Sequence, residues 1–138
     1  MIQTKTIENL VTDNAKVVLD HQTSSLHVSL SGFIPFKQME SIIHHEFEMI
    51  RFFQLSKCLI DLRGIKVYAP GTPELIQTVW FPRVKEEGVQ YIAFVVPEDV
   101  FGQASMNKAH DESDKKENIN VKYFKDLISA KKWLMQPS

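Results

Sequence analysis

The stretch Lys57–Gly64, read KCLIDLRG, decides how the rest of the chain is understood. Its apolar run Cys58-Leu59-Ile60 has the pattern of a buried strand, and Asp61 ends it. A loop then leads to Gly71-Thr72-Pro73-Glu74, which has the chemistry of a helix start. Thr72 is the expected cap, Pro73 suits the first turn, and Glu74 complements the positive end of the helix dipole. Strand, loop and helix in that order form the repeating unit of an α/β domain with parallel strands. Ligands and partners meet such sheets at the strands' carboxyl ends. Asp61–Glu74 is therefore the first place to look for function.

Toward the N-terminus, Ala15–Asp20 and Leu26–Leu30 have strand character, separated by the polar turn His21–Ser25. So short a connection requires an antiparallel pair, because a parallel return needs about a dozen residues. The hairpin is expected at an edge of the sheet. Gly32-Phe33-Ile34-Pro35 then opens a helix over about Phe36–Gln54, with Met39, Ile42, Ile43, Ile50 and Phe53 in one stripe and Phe47 and Met49 on its flanks. Glu46 falls inside that stripe. The simpler expectation is that it reaches solvent at the rim; the sharper one is a buried carboxylate of raised pKa.

Toward the C-terminus, a helix is expected from Pro73 to Glu87, closed by Gly88. Pro82 lies well inside it, lacks an N–H and crowds the preceding turn, so a kink near Thr78–Pro82, or two short helices, is expected. Leu75, Ile76 and Val79 are expected to face the core, and Trp80 and Phe81 to point in different directions. Gln90–Val96 reads as the clearest buried strand, and a short helix follows over Glu98–Ala109. His110–Asn118 is polar and mixed in charge, and is expected to be an exposed, mobile loop. Asn120–Phe124 makes a last strand, and Asp126 caps a final helix with Leu127, Ala130, Trp133 and Leu134 on one face. Residues 1–14 form an N-terminal segment whose order the sequence leaves open, with Ile2, Ile7, Leu10 and Val11 able to pack as a short helix or strand. Residues 15–136 form one domain.

The element order, with Asp61 ending the central strand and Phe124, Asp126, Ala130 and Trp133-Leu134 closing the chain, resembles the SpoIIAA-like group of the STAS (sulfate transporter and anti-sigma-factor antagonist) superfamily. The resemblance covers roughly Ala15 to Met135. It implies an α/β domain with a mostly parallel sheet, an N-terminal antiparallel hairpin and helices packed on the sheet. It also implies action by binding, to partner proteins or to small ligands, as in the related lipid-holding CRAL-TRIO carriers. Anti-sigma antagonists are phosphorylated on a Ser in an Asp-Ser-Ser-Gly turn. Aligning Asp61 with the family's strand-ending Asp sets Ala69-Pro70-Gly71-Thr72 opposite that turn, with neither serine present. Thr72 is the nearest hydroxyl, one position displaced, and its expected role is a helix cap rather than a phospho-switch.

Composition limits the function classes. Sixteen basic and seventeen acidic residues give a net charge of -1, which supplies no electrostatic case for nucleic acid. The single cysteine, Cys58, excludes an internal disulfide and reads as a buried structural thiol. No apolar run approaches the roughly 18–20 residues of a membrane span. The N-terminal MIQTKTIENL lacks a signal peptide's layout, so the expected location is cytoplasmic.

Sites that carry chemistry are scarce. Glu40, His44 and Glu48 line one helical face, but it is the face opposite the apolar stripe, where such residues are solvated. His110, Asp111, Glu112 and Asp114 lack the spacing and glycine turn of a calcium loop. There is no Gly-x-Ser-x-Gly elbow and no glycine-rich phosphate loop. No metal, cofactor or catalytic residue is assigned.

Aromatic residues remain. Tyr68, Trp80, Phe81 and Phe101 follow strand ends or lie on the next helices, where they would line a pocket or form an interface. The expected function is a non-enzymatic regulatory or protein-interaction module, presenting Tyr68, Thr72, Trp80, Phe81 and Phe101 to a protein partner or a second copy. The alternative is a carrier or sensor of a small apolar ligand held between the sheet and the kinked helix.

Overall fold

Alternation along two strands builds the first half of the sheet. In β2 (Ala15–Asp20) and β3 (Ser25–Gly32), Ala15 pairs with Leu30, Val17 with Val28 and Leu19 with Leu26 in antiparallel register. These side chains share one face, because successive residues of a strand point to opposite sides. The computed structural model describes residues 7–136; Ile2 lies outside them. Leu10–Val11 forms a two-residue β1 that pairs antiparallel with β2. The hairpin is thus not the sheet's margin: β1 lies outside it, and β3 is interior.

From β3 onward the sheet is parallel. β4 (Lys57–Ile65), β5 (Tyr91–Val95) and β6 (Asn120–Phe124) follow in spatial order β1-β2-β3-β4-β5-β6. The chain is α/β with a mixed six-stranded sheet. β4 outruns the expected end at Asp61: its Gly64 and Ile65 still pair with Ser31 and Gly32 across a bulge. Polar Asp61 and Arg63 do not stop the strand, because their face is not the one that meets the large core.

Each crossover carries helix. α1 (Phe36–Phe53) joins β3 to β4, and α4 (Val100–His110) and α5 (Ser113–Lys116) join β5 to β6. Between β4 and β5 run α2 (Thr72–Leu75), a π-helical turn (Ile76–Trp80) and α3 (Phe81–Glu86). Right-handed crossovers that advance in one direction all fall on one face of the sheet. The large core agrees, joining Val17, Val28, Ile60 and Ile92 of the strands to Ile43, Trp80 and Met106 of these helices. α6 (Leu127–Met135) returns across the other face, where Leu59, Ala93 and Val95 meet Ala130 and Leu134. Among the described residues no helix is long and apolar enough to cross a membrane.

Two local features differ from the sequence reading for physical reasons. The stretch through Pro82 forms two short α-helices, one of the two expected outcomes, but what joins them is a π turn. The Phe81 N–H reaches the Ile76 carbonyl, five residues back, and the Thr78 hydroxyl donates to the Glu74 carbonyl at 2.7 Å. A π turn accommodates a stretch where the regular ladder fails. The extra residue turns Val79 outward to 40% exposure and brings both Trp80 and Phe81 inward, their rings 4.9 Å apart and edge-on. The expectation that Trp80 and Phe81 diverge is therefore corrected.

The polar run after α4 is not a free loop either. His110 and Ser113 are buried. Tyr123 of β6 donates to Asp114 at 2.7 Å, and His110 Nδ1 lies 2.9 Å from the Tyr123 hydroxyl. These bonds pin the run to the edge strand.

Candidate functional site

Two sites emerge, one inside and one at the surface. The inner one forms where α1 and the π turn face β4 and β5. It is a cavity of about 30 Å³, walled by Met39, Ile43, Ile60, Leu62, Ile76 and Phe94 and carrying the polar atoms of Glu46, Tyr68, Trp80 and His110. Roughly 10–15 Å³ admits one water, so the space suits one or two molecules of that size.

Glu46 is the unusual member. It is 3% exposed, so the expectation that it reaches solvent at the rim is corrected. The Trp80 Nε1–H donates to its Oε1 at 2.8 Å. Burial raises its pKa to about 8, against the lowering effect of that single hydrogen bond. At neutral pH it is held mainly as the acid. Helical periodicity puts it there: Ile42, Ile43, Phe47 and Ile50 surround it on the inward stripe of α1.

His110 is the second buried titratable group. Burial lowers its pKa to about 4, so the ring is neutral near pH 7. Its tautomer follows from its neighbours. The Tyr123 hydroxyl gives its proton to Asp114, so it accepts from His110 Nδ1–H. Nε2 is left as a bare acceptor. Among the described residues, His110 Nε2, the Tyr68 hydroxyl and Glu46 Oε2 have no hydrogen-bond partner. Burial also raises the pKa of Tyr68 and of Cys58, which lies within the core.

The five residues singled out from sequence therefore separate. Tyr68 and Trp80 line the cavity, and Phe81 packs behind it against Trp80, Phe94 and His110. All three are buried, so none is presented to a partner. Thr72 is fully buried at the first position of α2, with Gly71 as the cap residue and no partner for its Oγ1. The expectation that Thr72 caps the helix is corrected. Gly71 takes φ +90°, with the Phe36 ring 3.1 Å from where a Cβ would sit. Only Phe101 is at the surface, 72% exposed.

Phe101 belongs to the outer site, at the carboxyl end of the parallel strands. Gly32 at the end of β3 pairs with Ile65 at the end of β4, and the Lys66 N–H donates to the Gly32 carbonyl. α4 begins against the same point. A Cβ on Gly102 would stand 2.2 Å from the Ile65 carbonyl oxygen, a close approach that requires glycine. Asp99 caps α4 through the Phe101 and Gly102 N–H groups. The chain leaving these three strand ends carries Phe33 (53% exposed), Val67 (43%), Val100 (69%) and Phe101.

Sequence reasoning missed Phe33, Val67, Val100 and His110. Phe33 carried a usable signal, since it directly follows the end of β3, whereas Val67 and Val100 lie further past their strands. His110 carried none inside its charged run. On the opposite sheet face, Arg63 grips Asp61 with two side-chain bonds at 3.0 and 2.8 Å. Burial alone would raise the Asp61 pKa; the Arg63 bonds bring it below its ordinary value. Both ends of that pair are engaged. Among the described residues no group of three His, Cys, Asp or Glu is placed to hold a metal ion. No protein-family model, no curated protein and no solved structure matches the chain.

Proposed function

We propose that this chain is a non-catalytic, STAS-like interaction module that docks a protein partner through the carboxyl end of its parallel strands. The observation that carries this reading is the exposed apolar group Phe33, Val67, Val100 and Phe101. Scattered apolar residues are ordinary on a protein surface, but a cluster marks an interaction site. Aromatic side chains are favoured anchors in such interfaces. The group lies at the end of the sheet where open α/β domains engage ligands. Asp99 and Gly102 hold α4 rigidly beneath it, which lowers the cost of ordering on binding.

The alternative, a carrier of an apolar ligand, has a cavity between the sheet and the irregular helix to draw on. Its free volume of about 30 Å³ is far below the roughly 300–1,000 Å³ of pockets that enclose drug-sized ligands. An acyl chain would require the π turn to move away from the sheet. The interaction reading requires no such movement.

Phe101→Asp is the direct test, since the side chain is mostly in solvent and the fold does not depend on it. Wild type and variant are compared for concentration-dependent self-association by sedimentation, and for proteins retained from the source cell's extract. The reading expects at least one association to be lost in the variant while the melting temperature stays unchanged. Identical behaviour of the two proteins in both assays would defeat it.

A further inference from the structure

The inner cavity has a chemistry of its own, independent of the outer rim. Its polar atoms are mostly acceptors: Glu46 Oε2, the bare Nε2 of His110 and the Tyr68 oxygen, whose hydroxyl also donates. No lysine or arginine lines it, so an anion would meet only a carboxyl group and neutral rings. A divalent metal would find one carboxylate where it needs several oxygen ligands. The remaining walls are aliphatic, together with the aromatic rings of Trp80, Tyr68 and Phe94. Aromatic surroundings and a carboxylate are the setting in which organic ammonium groups are held.

We propose that this cavity binds a small ammonium-type cation, an ammonium ion or methylammonium, with its N–H groups on Glu46, Tyr68 and His110. The size is matched: nitrogen and methyl group each take about the space of one water, and the cavity of about 30 Å³ offers one or two such positions. The charge balances as well. Glu46 enters as the acid, releases one proton to solvent, and the carboxylate and cation remain as a neutral buried pair. Of the other titratable groups around the cavity, Cys58 and Tyr68 stay protonated because burial raises both, and His110 stays neutral because burial lowers its pKa.

The cavity adjoins an outer cleft. His110 lines both this cavity and an outer cleft of about 460 Å³, so its ring forms part of the wall between them. The cleft's rim carries the carboxylates of Asp111, Glu112 and Asp114 against the ammonium groups of Lys115 and Lys125. The net negative rim favours entry of a cation. The π turn is the opposite wall, and such turns recur at functional sites.

The test follows the Trp80 indole N–H resonance of the full-length protein during titration with methylammonium chloride, at pH 6 and pH 9. Sodium chloride and tetramethylammonium chloride serve as controls for ionic strength and size. The proposal expects a saturable shift with methylammonium alone, and at least tenfold tighter binding at pH 9, where no proton need be displaced. Glu46→Gln keeps an acceptor for Trp80 but no charge, and is expected to weaken binding at least tenfold. No saturation at either pH would overturn the proposal and leave the cavity to water. So would an equal response in Glu46→Gln or with either control salt. Because Phe101→Asp leaves this cavity intact, the interaction module and the cation site stand or fall separately.

Discussion

The inner cavity and the outer rim depart from ordinary burial in opposite senses. Around the cavity, a carboxyl group and an imidazole are taken out of water, each with a single hydrogen bond and a displaced pKa. At the rim, two phenylalanines and two valines are left in water on a rigid base. Both arrangements cost stability: the first through desolvation, the second through apolar surface that folding leaves uncovered. The difference lies in what would relieve each cost. A small polar or charged ligand relieves the cavity, whereas a broad apolar surface relieves the rim. If both proposals hold, one fold carries a site for each kind of partner.

The largest expected effect comes from the cavity wall. Trp80→Ala removes a buried ring and leaves Glu46 without its donor, at an expected cost of about 3–5 kcal/mol in urea unfolding. A loss below about 1 kcal/mol would mean that the aromatic wall is not part of the core, and the contrast between the two regions would collapse.

Glu46→Gln should act in the other direction. The folded-state pKa of about 8 lies above the unfolded value, so the folded protein retains a proton that the unfolded chain gives up. Stability from this group is full at low pH and falls by about 1.4 kcal/mol per pH unit up to about pH 8. His110 has the opposite sign: its pKa of about 4 makes stability fall as pH drops below about 6.5. The two slopes offset one another between about pH 4.5 and 6.5, and only the Glu46 slope remains from there to about pH 8. The Gln variant should therefore be more stable than wild type by several kcal/mol at pH 9, with the advantage shrinking as pH falls toward 4.5. Denaturant midpoints across this range check it. A pH-independent difference would mean that Glu46 is not the buried acid.

Gly102→Ala sharpens the comparison from the rim's side. The added methyl would collide with the Ile65 carbonyl, so α4 must shift, at an expected cost of about 1–3 kcal/mol. Partner association should weaken with it, while the Trp80 indole resonance stays nearly in place. Movement of that resonance as large as from a cavity substitution would mean that the two sites are coupled. The smallest expected effect is Phe101→Asp on folding, within about 0.5 kcal/mol by thermal melting. A larger loss would show that the ring packs on the fold after all.

Most of the fold was legible where periodicity and end chemistry agreed. The stripe of α1, the apolar run of β5 and the Asp126 cap are all where the residues put them. The sites were harder to read. Tyr68 and Trp80 were singled out, as a pocket lining or as a surface to be offered, because nothing local distinguishes an aromatic that lines a cavity from one that faces water. Glu46 was visible as a conflict in an apolar stripe, but which way the conflict resolves depends on what lies across from it.

Sequence by itself determined most of the elements, their order and the antiparallel hairpin, because those follow from short-range periodicity, turn length and helix ends. Only the tertiary structure decided the π turn that brings Trp80 inward, the burial of Glu46 beneath it and the capture of His110 by Tyr123 and Asp114. It alone brought Phe33, Val67 and Phe101 to one end of the sheet. The reason is that burial, pKa and exposure are set by atoms far away in the chain. Glu46 meets Trp80 across 34 positions, and no window of sequence contains both sides of that contact.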